Sequence, residues 1–381
     1  MTFINPFAEG HHVYYGALLA NGLVEKGYKV YAVGGKGFVD GMRELCPVSG
    51  SEAIASSRPA TITETEKIRF LGKALKTAEK YNADYIHLQQ LDRFILTLAL
   101  LRPFSDLSRV FGTLHWAALL DEFAPNNLKR RKVAFERLVL RHLAGNGLKV
   151  MAHSKKFVSI LNAITRSGAA GYVPYPVNFP VYSAEERASK RASLRERLSI
   201  EPGATVLLSF GGTRYDKGAD IAVSALKNLP DSVELLVAGS AEHFSKDALA
   251  SIAEKSGVRE RLKLCMEYIP EAEVVDYFAA SDIVVAPYRK IFAGQCGPIT
   301  IAASMGIPVV ASDSMIIKET VEAYSLGRTF PSEDVISFSR AVMDVVCSGP
   351  FSPRAEEFTR DHRKEAFCGA VIKNYERVPP R

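Results

Sequence analysis

Cysteine is scarce and without pattern in this chain of 381 residues. The five cysteines are odd in number and form no CxxC pair, so neither a zinc ribbon nor a disulfide scaffold is indicated. Long apolar runs are also lacking: the longest, Phe94–Leu101, ends at Arg102, far short of the roughly 20 residues of a membrane-spanning helix. The first residues show no basic or apolar region of a secretory signal. We therefore expect a reduced, cytoplasmic protein.

The motifs that grip nucleotides through glycine-rich loops or metals are missing as well. No GxxxxGK[ST] occurs, and no GxGxxG stands between a strand and a helix. The glycines of Gly34–Gly37 have the wrong spacing, and we expect them to form a surface turn. No two aspartates are spaced D-x-D, which argues against a diphosphate held through a metal ion. If the chain binds a diphosphate, fixed protein charges must hold it, with no metal site and no cofactor.

Charge is unevenly distributed in a composition that is otherwise ordinary for a globular protein. Hydrophobic residues make up 47% and charged residues 24%, with a net charge of +6. Residues 1–180 carry 23 Lys and Arg against 14 Asp and Glu, whereas residues 181–381 carry 25 against 28. The basic first half is suited to an anionic partner, although basic surfaces without such a partner are equally common.

Short apolar runs alternate with longer amphipathic stretches along the whole chain, which is typical of βα units and parallel sheets. In the first half we predict strands at 28–33, 85–88, 110–114 and 150–152, and in the second half at 205–210, 234–238, 282–286 and 308–311. The prediction is an α/β protein with two doubly wound, Rossmann-like domains facing across a cleft, where ligands usually bind. We place the first domain at 1–178, a linker with a charged helix at 179–203, the second domain at 204–350 and a terminal helix at 351–381, packed back on the first domain.

Two segments of the second half are suited to binding anions. Gly211–Asp220 follows a predicted strand and precedes a helix, and it combines glycines with Arg214 and Lys217. Gln295–Thr300 places glycine and proline at the start of a helix, where free N–H groups meet an anion. A tight βα turn with solvated cations explains the first segment alone equally well.

These segments resemble glycosyltransferase family 4, whose members have the GT-B fold. Gly211 with Lys217-Gly218 and Asp220 is similar to the family's glycine-to-Lys-Gly loop, and Ser281–Tyr288 resembles its next conserved strand. Gly306–Asp313, followed by Glu319, is very similar to its GxPVVAsd segment. In the first half the resemblance is weaker and rests on Gly10–Val30, His115 and Val173–Asn178.

The resemblance implies a retaining, metal-independent transfer of a sugar from a nucleotide diphosphate sugar to a glycan, lipid-linked or small-molecule acceptor. Negative charge would grow on the departing diphosphate and be stabilised electrostatically. The implied catalytic residues are His115, Arg214 and Lys217, and the acceptor side has His11 and His12. The implied donor-binding residues are Gly10, Gly211, Gly212, Gln295, Cys296, Gly297, Pro298, Ile299, Thr300 and Glu319.

Two departures from the family pattern keep other functions open. The family's two glutamates, eight positions apart, fall at Ala293 and Ile301, and its loop arginine falls at Gly212. The second glutamate of the family faces the ribose hydroxyls, and neither aliphatic side chain here accepts a hydrogen bond from a hydroxyl. We expect Ile301 to face the ribose, so that Ile301→Glu tightens nucleotide binding. The alternatives are a non-catalytic GT-B relative acting as a partner subunit, or another GT-B enzyme such as a sugar-nucleotide epimerase, which would show acid and base groups in the cleft.

The densest basic cluster is Lys129–Lys132, together with Lys155 and Lys156. It is compatible with peripheral contact between the first domain and the anionic inner face of a membrane. A solvated helix face explains a run of this kind as well. No recognised nucleic-acid module accompanies the charge, so nucleic acid is not expected as a partner.

Overall fold

The computed structural model of the chain describes residues 1–6, 12–54, 63–103, 105–124, 126–177, 182–348 and 353–379. Its contacts divide the chain into two units: unit 1 comprises Met1–Pro176 with Asp361–Arg381, and unit 2 comprises Val177–Arg360.

Within its described residues, unit 1 forms a wholly parallel sheet flanked by helices. The strands are β1 (Thr2–Asn5), β2 (Tyr31–Gly34), β3 (Gly50–Ala53), β4 (Ile86–Leu88), β5 (Val110–Leu114), β6 (Lys149–Ala152) and β7 (Ala170–Tyr172). The helices are α1 (His12–Glu25), α2 (Lys36–Leu45), α3 (Glu64–Lys80), α4 (Ile95–Leu101), α5 (Asn127–Gly145) and α6 (Lys155–Thr165). The strand order is β3-β2-β1-β4-β5-β6-β7, so the order reverses between β1 and β4, as in doubly wound folds.

The segment Gly34–Gly37 is not the surface turn that its glycines suggested. β2 ends at Gly34, which is buried against the backbone carbonyl of Asn5, and α2 begins at Lys36. Gly34 leaves no room for a side chain at the end of the strand, and Gly35 alone connects the strand to the helix.

Unit 2 repeats this architecture in its described part. Its strands are β8 (Thr205–Phe210), β9 (Val233–Ala238), β10 (Leu262–Cys265), β11 (Ile283–Ala286), β12 (Val309–Ser312) and β13 (Gly327–Phe330). Its helices are α7 (Ala184–Arg197), α8 (Ala219–Ala225), α9 (Lys246–Lys255), α10 (Glu271–Ala280), α11 (Gly297–Ser304), α12 (Met315–Ala323) and α13 (Val335–Cys347). All strand pairs are parallel, in the order β10-β9-β8-β11-β12-β13.

The charged segment before β8 contributes α7 to unit 2. Ser183 caps this helix, and Glu186 completes a capping box. Two arginines of α7, Arg191 and Arg195, share the carboxylate of Asp282 at 2.6 Å each. Asp282 also accepts the backbone N–H of Val206, so this charged helix is fastened to the start of the sheet.

Two C-terminal helices follow, α14 (Ala355–His362) and α15 (Lys364–Tyr375). Phe358 of α14 belongs to the apolar core of unit 2. α15 packs on α1 in unit 1, where Phe367, Val371 and Tyr375 are fully buried. In the part of the chain that the structure describes, no helix is long and apolar enough to cross a bilayer.

Candidate functional site

The order of strands in unit 2 reverses between β8 and β11, and the loops that follow these two strands lie side by side. Ligands of open α/β sheets bind at such a switch point, beyond the carboxyl ends of the strands. The loop after β8 is Gly211–Gly218, and the loop after β11 is Pro287–Cys296. The structure thus brings together the two segments that the sequence singled out as anion sites.

Two observations fix the shape of the first loop. Gly211 has φ +104° and Gly218 has φ +65°, both in the left-handed region that favours glycine. A side chain at position 218 would also overlap the carbonyl of Pro287, at the end of β11. Gly218 is therefore required for the two loops to approach each other.

Arg289 locks the two loops together. Its guanidinium pairs with both carboxylate oxygens of Asp220, at 2.7 and 3.1 Å, and stacks 3.9 Å above the ring of Tyr215. Its own backbone N–H donates to the carbonyl of Asp216. Because both carboxylate oxygens of Asp220 are bonded to its guanidinium, Arg289 has a structural role and fixes the loop after β8.

Lys217 is the cation of the loop that no carboxylate of the described residues bonds directly. Its ammonium lies against Gly211, 2.5 Å from where a Cβ on that glycine would stand. Within the described residues it has neither a hydrogen bond nor an ion pair. Desolvation lowers the pKa of Lys217. Glu242 and Asp216 oppose this effect through space, but neither is bonded to the ammonium. An ammonium held this way gains from an incoming anion that bonds to it directly.

Arg214 is situated differently. Its guanidinium forms two parallel bonds to Asp216, at 2.8 and 2.9 Å, and this partner raises the pKa of Arg214. Much of its charge is thereby balanced before any ligand arrives. Of the two cations predicted to stabilise a diphosphate, the structure favours Lys217 as the direct one.

A carboxylate that the sequence did not point to lies at the same place. Glu242, in the loop after β9, is positioned by a bond from its backbone N–H to Thr213 Oγ1 at 3.0 Å. Its side chain is exposed and lies against Gly212, so that any side chain at position 212 would overlap it. Only the neighbouring positions of β8 and β9 in the sheet bring Glu242 to this loop.

The start of α11 offers fewer free amides than predicted. Pro298 has no N–H, the Thr300 N–H bonds to the Cys296 carbonyl, and the Ile299 N–H faces the Cys296 thiol. The thiol itself bonds to Tyr288 at 3.3 Å, and burial raises its pKa. Gly297, with half-buried Gln295 beside it, is thus the position of this segment that can donate a backbone N–H to a ligand.

Unit 1 carries a separate cluster of aromatic and imidazole groups at the ends of β5 and β6. His115 is buried, with Nε2 2.9 Å from the carbonyl of Gln89. Its ring lies 5.0 Å from that of Tyr15 and 5.1 Å from that of His153. His153, which the sequence analysis missed, also contacts the ring of Tyr175. In the sequence, the lysines that follow His153 indicate only a basic surface and do not point to the imidazole.

Asp92 positions the loop that carries His115. Its two carboxylate oxygens accept the backbone N–H groups of His115 and Trp116, at 3.0 and 3.1 Å. Burial raises the pKa of Asp92 to about 7 against the opposing effect of these two bonds. The sequence shows Asp92 only as one of many aspartates, since its partners lie 23 and 24 residues away.

The remaining predicted site residues are placed as follows. Gly10 and His11 lie outside the described residues. His12 begins α1 and has Nδ1 2.9 Å from the side-chain amide of Gln90. Glu319 is half-buried in the middle of α12, after β12.

Comparisons with known proteins agree with this geometry. Residues 204–348, which include both loops, match the family described as glycosyl transferases group 1. Unit 2 carries a glycosyl transferases group 1 domain. This match agrees with the resemblance to glycosyltransferase family 4 seen in the sequence.

The relatives of this glycosyl transferases group 1 domain are named glycosyltransferases. A D-inositol 3-phosphate glycosyltransferase of Xylanimonas cellulosilytica is 32% identical over 128 residues, 31% of this chain and 30% of that protein. The lipopolysaccharide core biosynthesis mannosyltransferase LpcC of Rhizobium leguminosarum is 26% identical over 288 residues, 67% of this chain and 79% of its own length. The chain thus spans less than a third of the first relative.

The fold is shared over the whole chain. Anabaena HepE, solved in complex with UDP and glucose, superposes with a TM-score of 0.74 over 99% of both chains at 16% identity. At that identity the likeness shows the fold alone. It confirms the predicted α/β GT-B class, with one parallel sheet in each unit.

The two positions where family 4 has glutamates are apolar core positions of this glycosyl transferases group 1 domain. Ala293 is 4% exposed and Ile301 is 3% exposed. Ile301 packs within the core beneath β11 and β12, together with Ile299 and Ala302. The expectation that Ile301 faces a ribose is therefore wrong, because this part of α11 turns that side chain into the core.

Proposed function

We propose that the protein transfers a sugar from a nucleotide diphosphate sugar to a glycan, lipid-linked or small-molecule acceptor, with retention of configuration and without a metal ion. The observation that carries the proposal is the desolvated ammonium of Lys217, which has no directly bonded anion among the described residues, at the switch point of a glycosyl transferases group 1 domain. The named activities of the relatives, and the UDP and glucose bound to HepE, support the substrate class.

In the proposed reaction, the bond between the anomeric carbon and the diphosphate oxygen breaks, and a bond from that carbon to an acceptor oxygen forms. The acceptor proton leaves with the diphosphate or passes to solvent. Negative charge grows on the diphosphate as the bond breaks. We assign Lys217 and the Gly297 N–H the role of stabilising that charge, which lowers the barrier more than it strengthens ground-state binding.

Glu242 supplies a carboxylate that Ala293 and Ile301 do not. We assign it the role of accepting hydrogen bonds from donor hydroxyl groups, because an ionised carboxylate accepts such bonds strongly. Within unit 1, we assign a role in sugar binding to His115, whose backbone N–H is held by Asp92. The strand-end position of His115 and His153 supports a role in binding sugar hydroxyls.

A titration with a panel of nucleoside diphosphates and nucleotide sugars, by calorimetry, tests the proposal. At least one nucleotide should bind, and its affinity should be unchanged by a chelator. Release of nucleoside diphosphate from the best-bound sugar nucleotide, in the presence of candidate acceptors, then reports turnover. Affinity abolished by the chelator would contradict the metal-independent site.

A second candidate, the non-catalytic relative, is favoured by the two apolar positions 293 and 301. It predicts that the best nucleotide sugar binds but is neither transferred nor hydrolysed with any acceptor. Transfer of labelled sugar to a glycan or lipid-linked acceptor would exclude this candidate.

A further inference from the structure

The outer face of α5 in unit 1 combines large apolar side chains with a basic run. Leu128, Phe135 and Leu138 are 79%, 58% and 64% exposed. Lys129, Arg130, Arg131 and Lys132 are all exposed as well. We propose that this face, defined by residues 128–138 of α5, binds the surface of an anionic lipid bilayer.

The spacing of these residues places the apolar groups on one side of the helix. Positions three, four and seven residues apart share a helix face, so Leu128, Phe135 and Leu138 line up with Arg131 among them. The side of α5 that packs on the unit is formed by other residues, Val133, Leu140, Leu143 and Ala144. The helix is therefore apolar on both sides, and only one of them is covered by unit 1.

Charge on this face is nearly all positive. Lys132 has Glu136 at 3.7 Å, and burial raises the pKa of that half-buried glutamate. Arg137 turns away toward Asp121 and the carbonyl of Leu119. Acidic groups beside the face are Asp121, which is held by Arg137, and Glu122 on the segment before the helix. Glu64 of α3 also lies near Glu136 and is paired with Lys67 at 2.6 Å.

The neighbouring helix extends the apolar surface. α4 packs against α5, and its Leu100 is 69% exposed. Four large aliphatic or aromatic side chains on two adjacent helices are more than the scattered exposed leucines of an ordinary surface.

The composition fits a lipid surface better than a protein partner. Lysine is depleted from protein–protein interfaces, whereas Phe and Leu beside Lys and Arg are typical of helices that lie in the headgroup region. There the apolar groups enter the acyl boundary, and each basic residue near an anionic leaflet contributes about 1 kcal/mol. The proposal does not depend on the sugar transfer proposed above, because the two loops of unit 2 take no part in it.

Flotation of the full-length protein with vesicles tests the proposal. We expect it to float with vesicles of equal parts phosphatidylglycerol and phosphatidylcholine, and to remain at the bottom with phosphatidylcholine alone. Arg131→Glu/Lys132→Glu should weaken binding by roughly tenfold or more, since about 1 kcal/mol is lost for each basic residue. Phe135→Ser/Leu138→Ser should weaken it further at high salt, where the charge contribution is screened.

Matched controls separate this face from general charge and hydrophobicity. Lys227→Glu/Lys255→Glu changes the net charge equally on exposed positions of unit 2, and Tyr268→Ser removes an exposed aromatic there. Both should bind vesicles as the unaltered protein does. All substituted side chains are exposed, and circular dichroism checks that each variant is folded.

Three results would overturn the proposal. They are failure to bind anionic vesicles, equal loss of binding in the control variants, and unchanged binding in both α5 variants. A dimer in sedimentation that Phe135→Ser/Leu138→Ser dissociates, without vesicle binding, would assign the face to a second copy of the chain instead.

Discussion

The carboxylate of Glu242 occupies the space that a side chain at Gly212 would need. In the family that the loop resembles, that position carries an arginine. This chain therefore has the Glu242 carboxylate where the family has a cation. The ammonium of Lys217 lies beside it, against the preceding residue, Gly211. The two opposite charges lie over adjacent glycines, and an anionic group and a hydroxyl-bearing group of one ligand can bind them separately.

The first prediction concerns Glu242. We expect Glu242→Ala to weaken binding of the best nucleotide sugar by about 1.5–3 kcal/mol, the scale of a hydrogen bond to a charged group. The same change should leave binding of the matching nucleoside diphosphate unchanged or tighter, because a nearby negative charge is removed. Calorimetry with both ligands gives the comparison, with Glu254→Ala on exposed α9 as control. Equal weakening for both ligands would argue against contact with the sugar.

Lys217 gives the second prediction. Lys217→Met should weaken nucleoside diphosphate binding by about 1.5–3 kcal/mol, since a charge-assisted bond is lost. Without ligand the same variant should be at least as stable as the unaltered protein, because desolvation of the ammonium opposes folding. Calorimetry and thermal melting measure the two effects, and Lys227→Met is the exposed control. A variant that melts lower and binds normally would show that Lys217 is structural.

The third prediction reverses an expectation from the sequence. From the sequence, a glutamate at position 301 is expected to restore a hydrogen bond to the ribose. In the structure Ile301 is 3% exposed in the core, so Ile301→Glu should destabilise unit 2 by more than about 3 kcal/mol by burying a carboxylate without a partner. Denaturant unfolding measures this loss, with Ile301→Val as the milder control. Tighter nucleotide binding by a well-folded glutamate variant would contradict the placement of this side chain.

Asp92 gives a prediction about pH. Burial raises its pKa from 3.8 to about 7, so the folded state binds this proton more tightly than the unfolded state. The corresponding stability is complete below pH 3.8 and is lost as the pH rises to about 7. The stability of the unaltered protein relative to Asp92→Asn should therefore fall between pH 5 and pH 7 and then level off.

Denaturant midpoints across that range provide the measurement. Asp106 is the matched control, because its bonds from Ser108 lower its pKa. Asp106→Asn should show no change relative to the unaltered protein between pH 5 and pH 8, since Asp106 is ionised in both states there. A flat difference for Asp92→Asn would mean that its carboxyl titrates as an ordinary exposed group.

Local patterns in the sequence determined the fold class and much of unit 2. Runs such as Ile283–Ala286 are apolar at every position because a strand of a parallel sheet is covered on both faces. The loop from Gly211 to Asp220 was recognisable because its glycines and its lysine are close together in the sequence. The glycines are needed where the backbone is left-handed. The same reasoning found no strand at Thr2–Asn5, because Phe3 and Ile4 are its only apolar residues, although β1 lies within its sheet between β2 and β4.

Only the tertiary structure decided which side chains meet at the strand ends. Glu242 reaches Gly212 because β9 pairs with β8, and Asp92 reaches the His115 amide because β4 pairs with β5. Ile301 enters the core because of the angle at which α11 packs on β11 and β12. Each of these contacts joins residues distant in the sequence, and their geometry depends on the crossover order of the sheet. A local pattern of residues does not reveal the order of the strands. The sequence therefore predicts the charged residues of the site, but not which of them lie next to each other.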